Sequence, residues 1–386
     1  MTNSRVQTAI AVWADRNLPP KLVQQQCQAL EQTGALDGIL LADQFTNFIP
    51  RQLWTAQNTP MAQVMTDPDS HPDVFVMAAY IAAAAPGLHL AISTDAVRRG
   101  PAELITTMLT LANITEGKVS FQVGGGEIKQ TGPFGHPTNQ GMSRMKDLFQ
   151  LYRMVLEAKG EPFDYSGRRW TFEHATLGAG MPYRPSLYGL GAGPTLLKHT
   201  AAWADGLAVT CPPAWESVER FATERRKLLD DVERLGRNPD DFRFAIWFPA
   251  LLADSPEDLE PHLANPIIKW LSALFGRIDN TLWKDVGLPA PLGEDFVYYK
   301  QFLPYKTPDA LIDRVITTVT PEHTYAGWVC GTPKQVADQI QPYIDAGADW
   351  VCPMDYLPMV LEPEAAQAAG ARSIELCDLI HQRNPA

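Results

Sequence analysis

Gly38-Ile39-Leu40-Leu41-Ala42-Asp43 is a short apolar run that ends on a carboxylate. A run of that kind, with no polar alternation, suits a strand buried on both faces, as in a parallel sheet covered by helices. The same unit recurs on either side of it. Strand-like runs at 6–12, 38–42, 88–93, 119–123, 187–190, 206–209, 242–252 and 350–352 alternate with helical patterns. The helical patterns lie at 20–32, 73–85, from Pro101 onward, 139–159, 195–204, 215–235, 332–344 and 364–381. In the first of these, Leu22, Val23, Cys27 and Leu30 share a face. In the fourth, Met142, Met145, Phe149, Tyr152 and Leu156 do so, and Gly160 ends the helix. Eight such alternations predict an α/β fold of the closed (β/α)8 TIM-barrel type over an open doubly wound sheet, with 1–386 as one domain.

Composition bounds the function. The chain has 386 residues, 45% hydrophobic and 20% charged, which suffices for a large globular core. A formal charge of −12 disfavours nucleic acid and anionic membrane surfaces as partners, while leaving room for a local basic pocket. Cys27, Cys211, Cys330, Cys352 and Cys377 form no CxxC pair, so they read as reduced, buried thiols of a cytoplasmic protein. No leader-like start and no span-length apolar run is present. The eight histidines show no HExxH or comparable spacing, so no metal is expected.

Three stretches break the rhythm, at about 44–72, 129–138 and 255–331. Each follows a predicted strand, and so lies on the face where barrels build active sites. The third carries Trp270, Phe275, Trp283, Phe296, Tyr298, Tyr299, Phe302 and Tyr305, which suit either a cap over an apolar ligand or a packed decoration. A small hairpin is expected over 163–172.

The strand ends carry the candidate chemistry. Asp43 lies at the tip of the second strand, where a carboxylate reads as catalytic or cofactor-facing, or else as a loop salt bridge. Ser93, Thr94 and Asp95 end the third strand, and Arg98 and Arg99 follow, either to hold an anion or as a solvated pair. Gly124, Gly125, Gly126 and Glu127 end the fourth. The glycines permit close backbone approach to a flat ring, and Glu127 is a candidate acid/base. Gly191, Ala192, Gly193 and Pro194 open a helix whose free N–H groups suit a phosphate, or they form only a tight turn. Neither a P-loop, nor GxGxxG, nor a GxSxG elbow is present.

The segments LLADQFTNFIPR (40–51), STDAVRRGPAEL (93–104), VGGGE (123–127), GLGAGP (189–194) and GTPKQVADQIQPYIDAGADWV (331–351) occur in an order that resembles the bacterial luciferase-like superfamily. The nearest branch looks like the deazaflavin-dependent oxidoreductases of the mycobacterial phthiodiolone ketoreductase group. The resemblance implies coenzyme F420, or alternatively FMN, at the C-terminal face. It places Asp43, Ser93, Thr94, Gly124, Gly125, Gly126 and Glu127 around the ring, and Gly191, Ala192, Gly193 and Pro194 near the phosphate. It also implies a non-proline cis peptide near Ser93-Thr94 and a homodimer. One departure stands out: many relatives carry a histidine after the strand-two aspartate, and this chain has Gln44. Glutamine cannot exchange a proton at neutral pH, but it can polarise a carbonyl by donating a hydrogen bond. The proton then comes from Asp15, Asp43, Glu127, a tyrosine of the third insertion, or water.

The leading expectation is hydride transfer from reduced F420 to a carbonyl or activated double bond of a small organic, possibly apolar, substrate, with Asp43, Gln44 and Glu127 at the reacting centre. The alternatives are an FMN-dependent monooxygenase on the same barrel and a barrel that binds a flavin or deazaflavin without turnover.

Overall fold

The run at 38–42 is a strand, paired in parallel on both sides. The computed structural model describes residues 5–12, 18–178 and 181–385. Its strands in chain order are β1 (Gln7–Ala11), β2 (Gly38–Ala42), β3 (His89–Asp95), β4 (Val119–Gly124), β5 (Phe163–Ser166), β6 (Thr171–Ala175), β7 (Ser186–Leu190), β8 (Gly206–Thr210), β9 (Arg243–Leu252), β10 (Val329–Gly331) and β11 (Trp350–Asp355). β1, β2, β3, β4, β7, β8, β9 and β11 pair in parallel in that order, and β11 returns to β1. The circuit is a closed eight-stranded barrel with helices between the strands, as the alternation predicts.

Alternation along each strand sorts the core into two layers. Ile39, Leu41, Leu90, Ile92, Phe121, Val123, Leu207, Phe244 and Ile246 pack outward against the helices. Ala9, Leu40, Ala91, Ala208, Ala245 and Cys352 share a second cluster with the packed interior of the third insertion. Burying a side chain as fully as Ile39 contributes roughly 1.5–3 kcal/mol. Among these small residues one polar pair is satisfied inside the barrel, with Trp247 Nε1 donating to Gln122 Oε1 at 2.7 Å.

Helix starts follow their local chemistry. Pro101, Pro194 and Pro333 occupy first turns, where a missing N–H costs nothing. Thr332 and Gln335 form a capping box. Ser217 caps Val218–Arg234, so that helix begins three residues later than the apolar pattern predicts. The hairpin is β5–β6, extended to Ala175.

Two expectations are corrected. The stretch 255–331 contributes β10, which pairs in parallel with the end of β9. Three residues are too short for a periodicity to show. The cis peptide expected near Ser93-Thr94 is absent: among the described residues the one cis bond is Cys211–Pro212. Ser93, Thr94 and Asp95 instead continue the β3 ladder in register with Gln122, Val123 and Gly124, which holds them extended.

Candidate active site

β2 and β3 deliver Asp43 and Thr94 side by side. Thr94 Oγ1 donates to Asp43 Oδ2 at 2.7 Å, and Asp43 N donates to Ser93 O at 2.9 Å. The same Oδ2 accepts from Arg99 Nη1 at 2.6 Å and pairs with Arg98 Nη2 at 2.9 Å. Arg98 Nη2 also donates to Asp43 O at 2.7 Å, and Arg98 Nε pairs with Asp95. The two arginines are therefore not a solvated pair. They are spent on a buried ion network that ties the tips of β2 and β3 together. Arg98 Nη1 is buried at this mouth with no hydrogen-bond partner in the described structure.

Gly124 ends β4 level with Asp95. A Cβ there would lie 3.5 Å from Leu190 O and 3.9 Å from Thr94 O, so its absence leaves a shallow cradle at the barrel mouth. Gly125 serves a different contact. The helix Gly141–Ala158 starts so close to it that a Cβ on Gly141 would sit 1.9 Å from Gly125 O.

Glu127 follows in the loop and is the centre of a second cluster. Tyr298 Oη donates to Glu127 Oε1 at 3.1 Å, and Lys129 Nζ lies 3.4 Å from Oε2. Lys129 is 1% exposed, donates to Thr46 O at 2.8 Å and sits 3.5 Å from the centre of the Phe48 ring. Burial pushes its ammonium down to about 8, against the opposing pull of Glu127. Burial, then the charge of Glu127, pushes the Tyr298 phenol up, so it remains a donor.

The shift makes a prediction about stability. Between about pH 8 and about 10.5 the unfolded chain holds a proton on Lys129 that the folded protein has lost. Stability therefore rises with pH through that window, by on the order of 3 kcal/mol from this group, and the gain is lost as pH falls back through 8. Denaturation midpoints across the window should show the rise in the wild type and a flatter profile in Lys129→Met; parallel profiles would refute the assignment.

The same segment fastens the first two insertions together. Gln130 Oε1 accepts from Phe45 N at 2.6 Å, and Thr46 Oγ1 donates to Lys129 O at 3.1 Å. The third insertion is mostly packed decoration. Trp270, Trp283, Phe302 and Trp328 are buried, whereas Tyr298 reaches Glu127. Trp270 Nε1 donates to Phe48 O at 2.8 Å, which locks this insertion onto the first. A cavity of about 520 Å³ opens between the three, lined by Phe45, Thr46, Asp69, Lys129, Phe134 and Tyr305, among others.

Gln44 lies elsewhere. It lines a smaller cavity of about 80 Å³ with Phe48, Trp54, His71 and Tyr356. Asp15 falls outside the described residues.

The 191–194 turn forms a third place on the rim. Gly191 adopts φ +135°, in the glycine-favouring region, and its N–H donates to Ala208 O at 2.9 Å. Gly193 then starts the helix Pro194–Trp203 with no side-chain cap, and a Cβ on it would meet open space. Further along this helix His199 has cationic neighbours. His199 is pushed down first by burial, then by Lys146 and Lys198. Arg144 is lowered by burial and by Arg169. An uncapped helix start offers free N–H groups to an anion. Cradle, orphaned Arg98 donor and uncapped helix start together fit a flat ring carrying a phosphate. Among the described residues no group of three or more His, Cys, Asp or Glu gathers at metal-binding distance, and no helix is long and apolar enough to cross a membrane.

Asp43, Thr94 and Glu127, singled out in the sequence, lie in these two clusters; Lys129 was not among the candidates. Its signal was an ammonium two residues beyond a strand-end carboxylate. Tyr298, distant in sequence, was reachable only as one aromatic among several.

This barrel and its decorated mouth define a family. The chain belongs to the luciferase-like monooxygenase family, whose model matches residues 6–349. It is similar to the phthiodiolone/phenolphthiodiolone dimycocerosates ketoreductase of Mycobacterium kansasii, 23% identical over 339 residues, covering 86% of this chain and 90% of the relative. Among solved structures it shares its fold with an F420-dependent secondary alcohol dehydrogenase in complex with an F420-acetone adduct (TM-score 0.70, 16% identity, 98% of each chain). It shares the fold equally with the long-chain alkane monooxygenase (TM-score 0.66, 15% identity, 99% of this chain and 92% of that one).

Proposed function

We propose that the protein is an F420-dependent oxidoreductase that transfers a hydride between the reduced deazaflavin and a carbonyl or activated double bond of an organic substrate. The carrying observation is Glu127, 26% exposed at the barrel mouth and held between the Tyr298 hydroxyl and the Lys129 ammonium. Reduction of a carbonyl needs a proton for the oxygen, and Glu127, Tyr298 and Lys129 together bring exchangeable protons to the mouth. The names of a ketoreductase relative and of an F420-dependent alcohol dehydrogenase of the same fold support the reading.

The residues that would hold the cofactor are the Gly124 cradle, Arg98 Nη1, and the Gly193–Pro194 helix start with Lys146 and Lys198 nearby. When bound, the reduced deazaflavin supplies the hydride. Glu127 gives the proton to the substrate oxygen. Tyr298 fixes the carboxyl rotamer. Asp43, Thr94, Arg98 and Arg99 hold the tips of β2 and β3 in place, and Gln44 can donate only a hydrogen bond. The joined insertions cover part of the mouth and leave a cavity between them. The reading includes a cytoplasmic homodimer.

The family description and the alkane monooxygenase fold favour a second reading, with FMN in the same site. Fluorescence titration of the apoprotein with F420 and FMN in parallel separates them. Saturable F420 binding that weakens with salt, with FMN at least about tenfold weaker, is expected, since the rim cations are partly exposed and screened. Preferential FMN binding overturns the assignment in favour of the monooxygenase. F420 binding without oxidation of the reduced form by any carbonyl substrate leaves a binding protein.

A further inference from the structure

We propose that Lys129 resupplies Glu127 with protons drawn from water in the cavity between the three insertions. The inference rests on Glu127 being the acid of the proposed reaction, and adds where its proton originates.

The geometry is specific. Lys129 Nζ is 3.4 Å from Glu127 Oε2, on the oxygen not taken by Tyr298. Its other polar contact is Thr46 O, and the Phe48 ring closes another side. On the outer side Lys129 lines the cavity of about 520 Å³, whose Phe134 and Tyr305 are exposed to solvent. Lys129 thus lies between this cavity and the carboxyl group. A lysine kept in that position for charge alone would be replaceable by arginine, whereas one that passes protons would not, because a guanidinium does not release its proton.

The step balances. The reduced deazaflavin, when bound, would supply the hydride and both electrons to the substrate carbon. The Glu127 O–H bond breaks as the substrate O–H forms. An N–H bond of Lys129 breaks as the Glu127 O–H is remade, and cavity water returns a proton to the amine. The sum is one hydride and one solvent proton. Lys129 acts through Glu127 and is a positioning residue. The charged groups that face it are Glu127, Arg98 and Asp69, with Tyr298 reaching it through Glu127. Asp69 lines the same cavity, and burial raises its carboxyl.

The test has two arms. Without cofactor, the lysine side-chain Cε resonances are followed by NMR, with Lys129 assigned by its loss in Lys129→Met. Lys129 should titrate near 8, and Glu127→Gln should lower that midpoint by about one unit or more. A midpoint unmoved by Glu127→Gln overturns the proposal. With reduced F420 and 2-octanone, the single-turnover rate of the wild type should fall above about pH 8 as Lys129 loses its proton. Lys129→Met and Lys129→Arg should both be slower by about tenfold or more and lack that alkaline limb. Recovery of the rate by Lys129→Arg overturns proton supply in favour of charge alone. If reduced F420 is not oxidised by any carbonyl, the proposed function fails, while the NMR arm still decides whether Lys129 and Glu127 are coupled.

Discussion

Glu127→Gln should lower the single-turnover rate of carbonyl reduction by about 10²–10⁴-fold while leaving F420 affinity within about twofold, the usual scale for losing a positioned acid. The substitution is close to isosteric. Its amide oxygen still accepts from Tyr298 Oη, so the loop keeps its anchor to the third insertion. What goes is the exchangeable proton and the charge opposite Lys129. Rate and binding must be measured on the same preparation. A variant that binds F420 and reduces substrate within about threefold of the wild type would place the proton donor elsewhere, and the cavity holding Gln44 and His71 would be the next place to look.

The barrel was legible because parallel strands buried on both faces read as apolar runs whatever their neighbours. Gly38–Ala42 begins and ends where its composition says, and Gly206–Thr210 runs one residue past its predicted end. Strand C-termini were less so. β3 continues through Thr94 and Asp95, and β11 to Asp355, because polar residues at the mouth still satisfy the backbone ladder. No local pattern reports a ladder partner from another strand. β10, at three residues, is too short to show a pattern at all.

The site divides likewise. A carboxylate following a buried run is visible at Asp43 and Glu127, since chain order alone puts both on the C-terminal face. What each carboxylate does depends on partners distant in sequence. Arg98 and Arg99 turn Asp43 into the centre of an ion network, and Glu127 is held between Tyr298 and Lys129. The glycines show the same limit. Gly124 leaves a cradle, whereas Gly125 beside it makes room for the start of a helix at Gly141, a distinction only packing reveals.

Asp43→Ala should cost about 3–5 kcal/mol of stability, read as a lower midpoint of the urea transition, because it strips the shared partner from two guanidinium groups. The Arg98 side chain is 2% exposed, so water cannot take over the lost interaction. Asp95 still pairs with Arg98 and Asp73 with Arg99, which argues for the lower half of that range. Asp43→Asn keeps an oxygen for Thr94 or one arginine and loses only the charge, so its cost should be smaller, about 1–3 kcal/mol. The pair of variants also separates the two roles open to this residue. If Asp43 only holds β2 and β3 in register, folded Asp43→Asn should retain substrate reduction at a near wild-type rate with weakened F420 binding. If Asp43 passes the proton itself, Asn at this position should abolish turnover as thoroughly as Gln does at 127. Three donors, from Thr94, Arg98 and Arg99, converge on its Oδ2, and that tie between the two strand tips supports the first outcome.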